Sequence, residues 1–112
     1  MTGPGSTSVT VSSNDYDYYS TTTKPEYAKM VTFQPTVSGY YTFSANCNAD
    51  SYGCLYDENM NEIMTNDDGN GNSDFQIWYI ECEAGKIYYL AAGLYSSSDT
   101  AETIEITIIK EA

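Results

Sequence analysis

The residues best suited to chemistry in this sequence are the oxygen-bearing side chains between Asn66 and Asp74, where the chain runs NDDGNGNSD. Calcium takes six to eight oxygen ligands in proteins, and carboxylates and side-chain amides supply them. The loop therefore contains a set of candidate calcium ligands: Asp67, Asp68, Asn70, Asn72 and Asp74.

The same loop is also typical of a tight turn. Asn and Asp side chains accept hydrogen bonds from nearby backbone amides, and Gly69 and Gly71 permit positive φ. The spacing does not match an EF-hand, because the twelfth residue counted from Asp67 is Trp78 and not a glutamate. A single glycine-rich copy also cannot build the solenoid that binds calcium in β-rolls. Both interpretations stay open; we favour the turn, and calcium is the only candidate cofactor.

The composition argues against catalysis and against anionic partners. The chain has no histidine, so neither a Ser-His nor a Cys-His pair can activate a nucleophile. Sixteen acidic residues make chance carboxylate pairs common, so such pairs do not identify a glycosidase. A formal net charge of −12 repels the phosphates of nucleic acids and of anionic membranes. We therefore expect no catalytic residue and no nucleic-acid partner. No stretch of the sequence approaches the ~20 apolar residues that span a bilayer, so we also expect no membrane insertion.

The elements that must position any site are β-strands. Runs rich in Tyr, Thr, Ile and Val are separated by turn residues at spacings of about 8–12, as in antiparallel sandwiches and barrels. Strands are predicted over residues 28–33, 40–45, 52–56, 62–65, 75–82, 87–92 and 103–109. Alternation within the strands selects the expected core positions: Val31, Phe33, Tyr41, Phe43, Ala45, Ile104, Ile106 and Ile108.

At 112 residues the chain has room for one domain. Residues 1–6 (MTGPGS) are typical of an expression-tag remnant and are set aside from the fold. Residues 7–23 are a tyrosine-rich segment that forms an edge strand or a flexible linker, and residues 24–112 form a single β-sandwich domain. The three cysteines, Cys47, Cys54 and Cys82, either stay thiols or form one disulfide, and their spacing matches no zinc motif.

A hairpin is predicted around Ala84 and Gly85. It would place Ile80 opposite Tyr89 and Trp78 opposite Ala91. One face of this hairpin would then join the core, namely Phe75, Ile77, Tyr79, Tyr88, Leu90 and Ala92. The other face would present an apolar cluster outward: Trp78, Ile80, Ile87 and Tyr89. Such a cluster indicates an interaction surface, unless a register slip, a bulge or the N-terminal segment covers it.

A second supply of aromatic side chains lies near the N-terminus. Tyr16, Tyr18 and Tyr19 accompany Asp15 and Asp17 in the sequence NDYDYYS. Tyrosine among small polar residues gives contact area at low entropic cost, as in antibody paratopes. The stretch is therefore either a second set of partner-binding residues or a flexible linker.

Five short motifs follow one another in an order that resembles the bacterial pre-peptidase C-terminal domain family. They are FQP, SGYYTF, DSYGCLYD, NDDG and AGKIYY, and the resemblance covers residues 24–109. It implies a compact antiparallel β-sandwich of jelly-roll type on secreted or surface-attached bacterial proteins, with no catalytic residues. Relatives of that family include collagen-binding domains and carbohydrate-binding modules.

The sequence therefore predicts a non-catalytic extracellular binding module, monomeric and part of a longer multidomain chain. The expected partner is a host protein, such as an immunoglobulin or a matrix protein, recognised in the manner of an adhesin by exposed aromatic residues. The alternatives are a carbohydrate-binding module and a structural spacer beside a secreted enzyme.

Overall fold

The computed structural model describes residues 1–11, 27–48, 50–66, 74–94 and 102–111. These residues form strands, turns and irregular loops, and no helix is found among them. The strands, in chain order, are β1 (Gly5–Val11), β2 (Tyr27–Phe33), β3 (Gly39–Asn46), β4 (Ser51–Tyr56), β5 (Glu62–Asn66), β6 (Gln76–Cys82), β7 (Tyr88–Leu94) and β8 (Glu102–Lys110). Each of the seven predicted strands is confirmed to within a few residues, and β1 overlaps the start of the segment 7–23, where an edge strand was one of two alternatives.

The strands form two antiparallel sheets of four. Sheet A has the order β1-β8-β3-β6, and sheet B has the order β2-β7-β4-β5. Every neighbouring pair is antiparallel. The predicted all-β sandwich is thereby confirmed. Within the described residues there is also no helix long and apolar enough to cross a membrane.

The core lies between the sheets and follows from the period-2 alternation of strand side chains. All of the core positions predicted from alternation are buried. Phe33 of β2 joins the two sheets, because its ring meets Tyr41 of β3 edge-on at 4.9 Å and Phe43 at 5.6 Å between ring centroids. The Tyr41 hydroxyl donates a 2.6 Å hydrogen bond to the carbonyl of Val37, so the buried phenol keeps a polar partner.

The predicted hairpin around Ala84 and Gly85 is wrong. Strand β6 pairs with β3 in sheet A, whereas β7 pairs with β2 and β4 in sheet B. The turn between them therefore crosses from one sheet to the other. It is held against the β2–β3 connection, where the Gly85 amide donates to the Pro35 carbonyl at 2.9 Å and Gln34 Nε2 donates to the Gly85 carbonyl at 2.9 Å. Gly85 has a φ of 84°, which glycine adopts without the Cβ penalty of other residues.

The first residues of the chain belong to the fold, although the sequence of residues 1–6 predicts a tag remnant that lies outside it. Strand β1 begins at Gly5 and pairs along its length with β8, at the edge of sheet A. The Met1 ammonium donates to the Thr32 carbonyl at 2.8 Å, and the Gln34 amide donates to the Met1 carbonyl at 2.8 Å. The edge strand thus lies at 5–11, and residues 12–26 are outside the described part of the chain.

Both ends of the acidic loop are fixed by hydrogen bonds. The Asn66 side chain accepts from the Gln76 amide at 3.0 Å. The Ser51 hydroxyl donates to the Asp74 carboxylate at 2.9 Å and accepts from the Phe75 amide at 3.2 Å. These bonds set where β6 begins, and they also satisfy the buried Asp74 carboxylate, which is 4 % exposed.

Gly53 provides a test of how tightly the start of β6 packs on sheet B. A Cβ added at Gly53 would lie 2.5–2.7 Å from carbons of the Phe75 ring, which is itself fully buried. We expect Gly53→Ala to lower the free energy of unfolding by about 1–3 kcal/mol in urea denaturation, because the ring must move. The matched control is Gly3→Ala, where the added Cβ would meet nothing within 4 Å. Equal stabilities of the two variants would contradict this packing.

The cysteines give a second test. None of them forms a disulfide; Cys54 and Cys82 are buried, and Cys47 is half-buried. Burial is the main cause that raises the pKa of both Cys54 and Cys82 to about 12. A raised pKa leaves a thiol protonated and unreactive at pH 8. We expect a thiol reagent at pH 8 to modify one cysteine of the folded protein and all three in urea, and Cys47→Ser to remove the fast phase. Rapid modification of two or more thiols in the native protein would contradict the structure.

Candidate functional site: the outer face of sheet A

A β-bulge in strand β6 shapes the surface of sheet A. Tyr41 pairs with Ile80, and Phe43 pairs with Ile77, so the single residue Thr42 lies opposite both Trp78 and Tyr79. One extra residue on a strand breaks the strict alternation of its side chains. The backbone accommodates the extra residue at Tyr79, whose φ of 57° is one that non-glycine residues rarely adopt.

The bulge changes which residues of β6 face the solvent. Trp78 is 42 % exposed and Tyr79 is 62 % exposed, whereas Ile80 returns to the core at 8 %. The prediction that Ile80 points outward is therefore wrong, and so is the prediction that Tyr79 joins the core. The physical reason is the same for both: the extra residue moves every side chain after Trp78 to the other face. Trp78 itself faces outward, as predicted.

Thr42 holds the bulge in place. Its hydroxyl accepts a 3.3 Å hydrogen bond from the Tyr79 amide and donates a 2.8 Å hydrogen bond to Glu111 Oε1. Thr42 is only 4 % exposed, although it lies on the outer side of the sheet. One buried hydroxyl thus satisfies the amide of the strained residue and orients a carboxylate on the same face.

The strand register places further apolar side chains beside Trp78 and Tyr79. Ile109 of β8 lies opposite Thr42 and is 46 % exposed. Tyr40, at 50 % exposure, lies opposite Glu81 of β6, and its carbonyl accepts from the Glu111 amide at 2.7 Å. We call the four exposed large apolar side chains on this outer face of sheet A the aromatic face: Tyr40, Trp78, Tyr79 and Ile109.

Alternation alone could have identified two of these residues. Tyr40 precedes the inward-facing Tyr41, and Ile109 follows the inward-facing Ile108. Tyr79 could not have been found in this way, because nothing in the run QIWYIEC marks the position of the bulge. Bulges arise from the pairing of two strands, and the second strand here lies more than 30 residues earlier in the chain.

Ile87 and Tyr89, predicted to join Trp78 on one surface, lie elsewhere. Tyr89 belongs to β7 in sheet B, where it pairs with Thr32 and Tyr56. It packs against a small apolar cluster on the far side of sheet B, and it is half-buried, like Ile87. Both line a hollow of about 200 Å³ with Met1, Thr32 and Gln34. The predicted four-residue cluster is therefore not formed, because its two strands belong to opposite sheets.

The remaining predicted site residues fall largely outside the described part of the chain. Tyr16, Tyr18 and Tyr19 lie in the range 12–26, and Asp67, Asp68, Asn70 and Asn72 lie in the range 67–73. Asp74 is described, and its carboxylate binds Ser51. Among the described residues, no group of three or more His, Cys, Asp or Glu side chains is placed to hold a metal ion. The calcium site stays a prediction.

A small acidic hollow of about 150 Å³ adjoins one end of the aromatic face. Its lining includes four carboxylates, and Glu81 is shared with the outer side of β6. Asp57 accepts hydrogen bonds from the Asn61 amide and from the Asn59 amide, both at 2.9 Å, and these bonds, chiefly the one from Asn61, lower its pKa. Glu83 forms a 2.7 Å ion pair with Lys86. Two of the four carboxylates therefore stabilise the adjoining turns, as acidic turn residues commonly do.

Comparisons with known protein families, with curated proteins and with solved structures find no match for this chain. The resemblance to the pre-peptidase C-terminal domain family consequently rests on the sequence motifs alone.

Removing the Thr42 hydroxyl tests the origin of the bulge. Thr42→Val keeps the shape of the side chain but leaves the Tyr79 amide without its acceptor, so we expect a loss of about 1–3 kcal/mol in the free energy of unfolding. Trp78 fluorescence should also shift in the folded variant, because the bulge sets the direction of this ring. The control is Thr32→Val at an exposed strand position, where we expect a change within about 0.5 kcal/mol. If the two substitutions had equal effects, the Thr42 hydroxyl would not be the group that stabilises the bulge.

Proposed function

We propose that this chain is a non-catalytic binding module that recognises an extracellular protein through the aromatic face. The observation that carries the proposal is the exposure of Trp78 and Tyr79, at 42 % and 62 %, on the outer surface of a four-stranded sheet. Contiguous apolar surface rimmed by polar groups marks interaction sites in otherwise well-buried domains. Tryptophan and tyrosine are also among the residues that most often dominate binding energy at protein interfaces.

The backbone strain at Tyr79 supports this proposal. A non-glycine residue in the left-handed region costs about 1 kcal/mol or more, and such strain is found preferentially at functional sites. Here the strain presents two neighbouring rings on one face, where regular alternation would bury one of them. The buried core of the sandwich does not need Tyr79, since Ile77 and Ile80 already point inward on either side.

We further propose that the sandwich is of jelly-roll type and that the module is secreted or surface-attached. The strand order supports the first point, because each sheet interleaves early and late strands, as in β1-β8-β3-β6. The lack of histidine in the sequence supports a non-catalytic role. An immunoglobulin or a matrix protein is the partner that we test first.

Carbohydrate binding is the second candidate function. The residues next to Trp78 on the outer face of sheet A are polar. Ser44 of β3 lies opposite Gln76 of β6 on one side and opposite Thr107 of β8 on the other. Rings beside hydroxyl and amide groups also suit a sugar, which stacks on an aromatic face and hydrogen-bonds at its edge. A structural spacer, the third alternative, would bind neither protein nor glycan.

A binding experiment separates these functions. The immobilised domain is exposed to serum and to solubilised matrix, retained proteins are identified, and each is then purified and measured by biolayer interferometry. We expect a defined protein to bind, and Trp78→Ala to weaken its binding at least tenfold, as substitutions of central interface aromatics do. The control is Ile63→Ala, which removes an exposed side chain of comparable apolar character from strand β5 of the other sheet.

Three outcomes would contradict the proposal. The first is that the purified partner binds Trp78→Ala as well as it binds the unmodified domain. The second is that only glycans on an array bind in a Trp78-dependent manner, which would favour the second candidate. The third is that the domain retains neither proteins nor glycans, which would favour the spacer.

A further inference from the structure

We propose that the partner of the aromatic face is cationic: a segment rich in arginine or lysine whose side chains stack on the rings and pair with the surrounding carboxylates. This inference rests on the proposed function and names the chemistry of its partner. It follows from the distribution of charge across sheet A.

The outward positions of sheet A carry negative charge only. Strand alternation and the register give these positions in the described residues, and their charged members are Glu81, Glu105 and Glu111. No lysine occupies an outward position there, and the chain has no arginine. Apolar rings among carboxylates, with no cation at an outward position of the sheet, leave a surface that a positive side chain complements.

Two of these carboxylates, Glu81 and Glu111, lie close to the rings, whereas Glu105 lies two outward positions away along β8. Tyr40 of β3 has Glu81 of β6 on one side and Glu111, which follows β8, on the other. Trp78 and Tyr79 occupy the outward position of β6 next to Glu81. Cross-strand neighbours have Cβ atoms about 4.5–5.5 Å apart, within reach of one arginine or lysine side chain. A guanidinium can stack on a ring and form a paired hydrogen bond with a carboxylate at the same time.

The lysines of the described chain do not fill this role. Lys86 is paired with Glu83 at 2.7 Å. Lys110 directs its side chain along Gly39, because a Cβ added at Gly39 would meet Lys110 Cε at 2.9 Å. Lys29 belongs to β2 in sheet B. The lysines of the described residues therefore do not neutralise the carboxylates on the outer face of sheet A.

Other occupants fit the face less well. A second copy of the chain would set the same glutamates against each other, on molecules that each carry a formal charge of −12. A strand added to the edge of β6 would meet the bulge and the left-handed Tyr79, and bulges are among the features that block edge pairing. A neutral apolar partner would cover the rings but would desolvate the carboxylates without compensation.

The test uses the fluorescence of Trp78, the single tryptophan in the chain. The probes are capped nonapeptides of the repeating type Gly-Ser-X, in which X is arginine, lysine, citrulline or norleucine. Citrulline has nearly the shape of arginine but no charge. We expect the arginine peptide to bind at least tenfold more tightly than the citrulline peptide, and its affinity to fall at least tenfold between low salt and 0.5 M NaCl.

Variants show whether binding occurs at the aromatic face or anywhere on an acidic protein. Calorimetry with the arginine peptide should show at least a fivefold loss for Trp78→Ala and for Glu81→Gln. The control, Glu102→Gln, removes an equal charge at the far end of β8, opposite Val11, and should leave the affinity unchanged. Unchanged binding to Trp78→Ala would overturn the inference, because the attraction would then be general.

The remaining outcomes also decide the question. Equal, Trp78-dependent binding of the arginine and citrulline peptides would overturn the cationic partner while leaving protein recognition in place. No binding of either charged peptide would overturn it as well. The proposed function is judged separately by the serum experiment, so it can fail or succeed independently of these peptides.

Discussion

The hydrogen bond from the Tyr79 amide to the Thr42 hydroxyl is the interaction on which the outer surface of sheet A depends. It closes a bulge in which one residue of β3 faces two residues of β6. Without the bulge, regular alternation would return Tyr79 to the core and expel Ile80. Thr42 is almost fully buried, so its hydroxyl cannot readily exchange its protein partners for water. The hydrogen bond is therefore specific to this local geometry.

The second constraint is the crossing from β6 to β7, which links the two sheets at one end of the sandwich. The turn at Gly85 is bound to the β2–β3 connection, so the strands on either side of it cannot pair with each other. Sheet A consequently presents Trp78 and Tyr79 on one surface of the molecule, and sheet B carries Tyr89 on another. The crossing therefore keeps the aromatic face small, with its charged neighbours supplied by β6, by β8 and by Glu111, which follows β8.

These two constraints combine to give a surface of a particular chemical kind. The bulge exposes rings, the register brings glutamates beside them, and the core already has enough apolar side chains without Tyr79. Strain at a non-glycine residue and exposed aromatic rings do not follow from the needs of the core, and they are the basis of the binding role that we propose for this face. Under that proposal, the strongly negative formal charge would favour the approach of cationic partners to this face.

The sequence by itself determined seven of the eight strands, the inward faces of those that alternate regularly, and the class of fold. Runs such as TIEITII alternate so regularly that Ile104, Ile106 and Ile108 could only share one face, since strand side chains repeat every two residues. The sequence predicted an outward Trp78 only through a hairpin that is not formed, and left a register slip or a bulge as the alternative. Only the tertiary structure decided the partners of β6 and β7, and the side on which Tyr79 and Ile80 lie. The physical reason is that strand pairing and bulges depend on residues distant in the chain, whereas alternation is a local property of each strand.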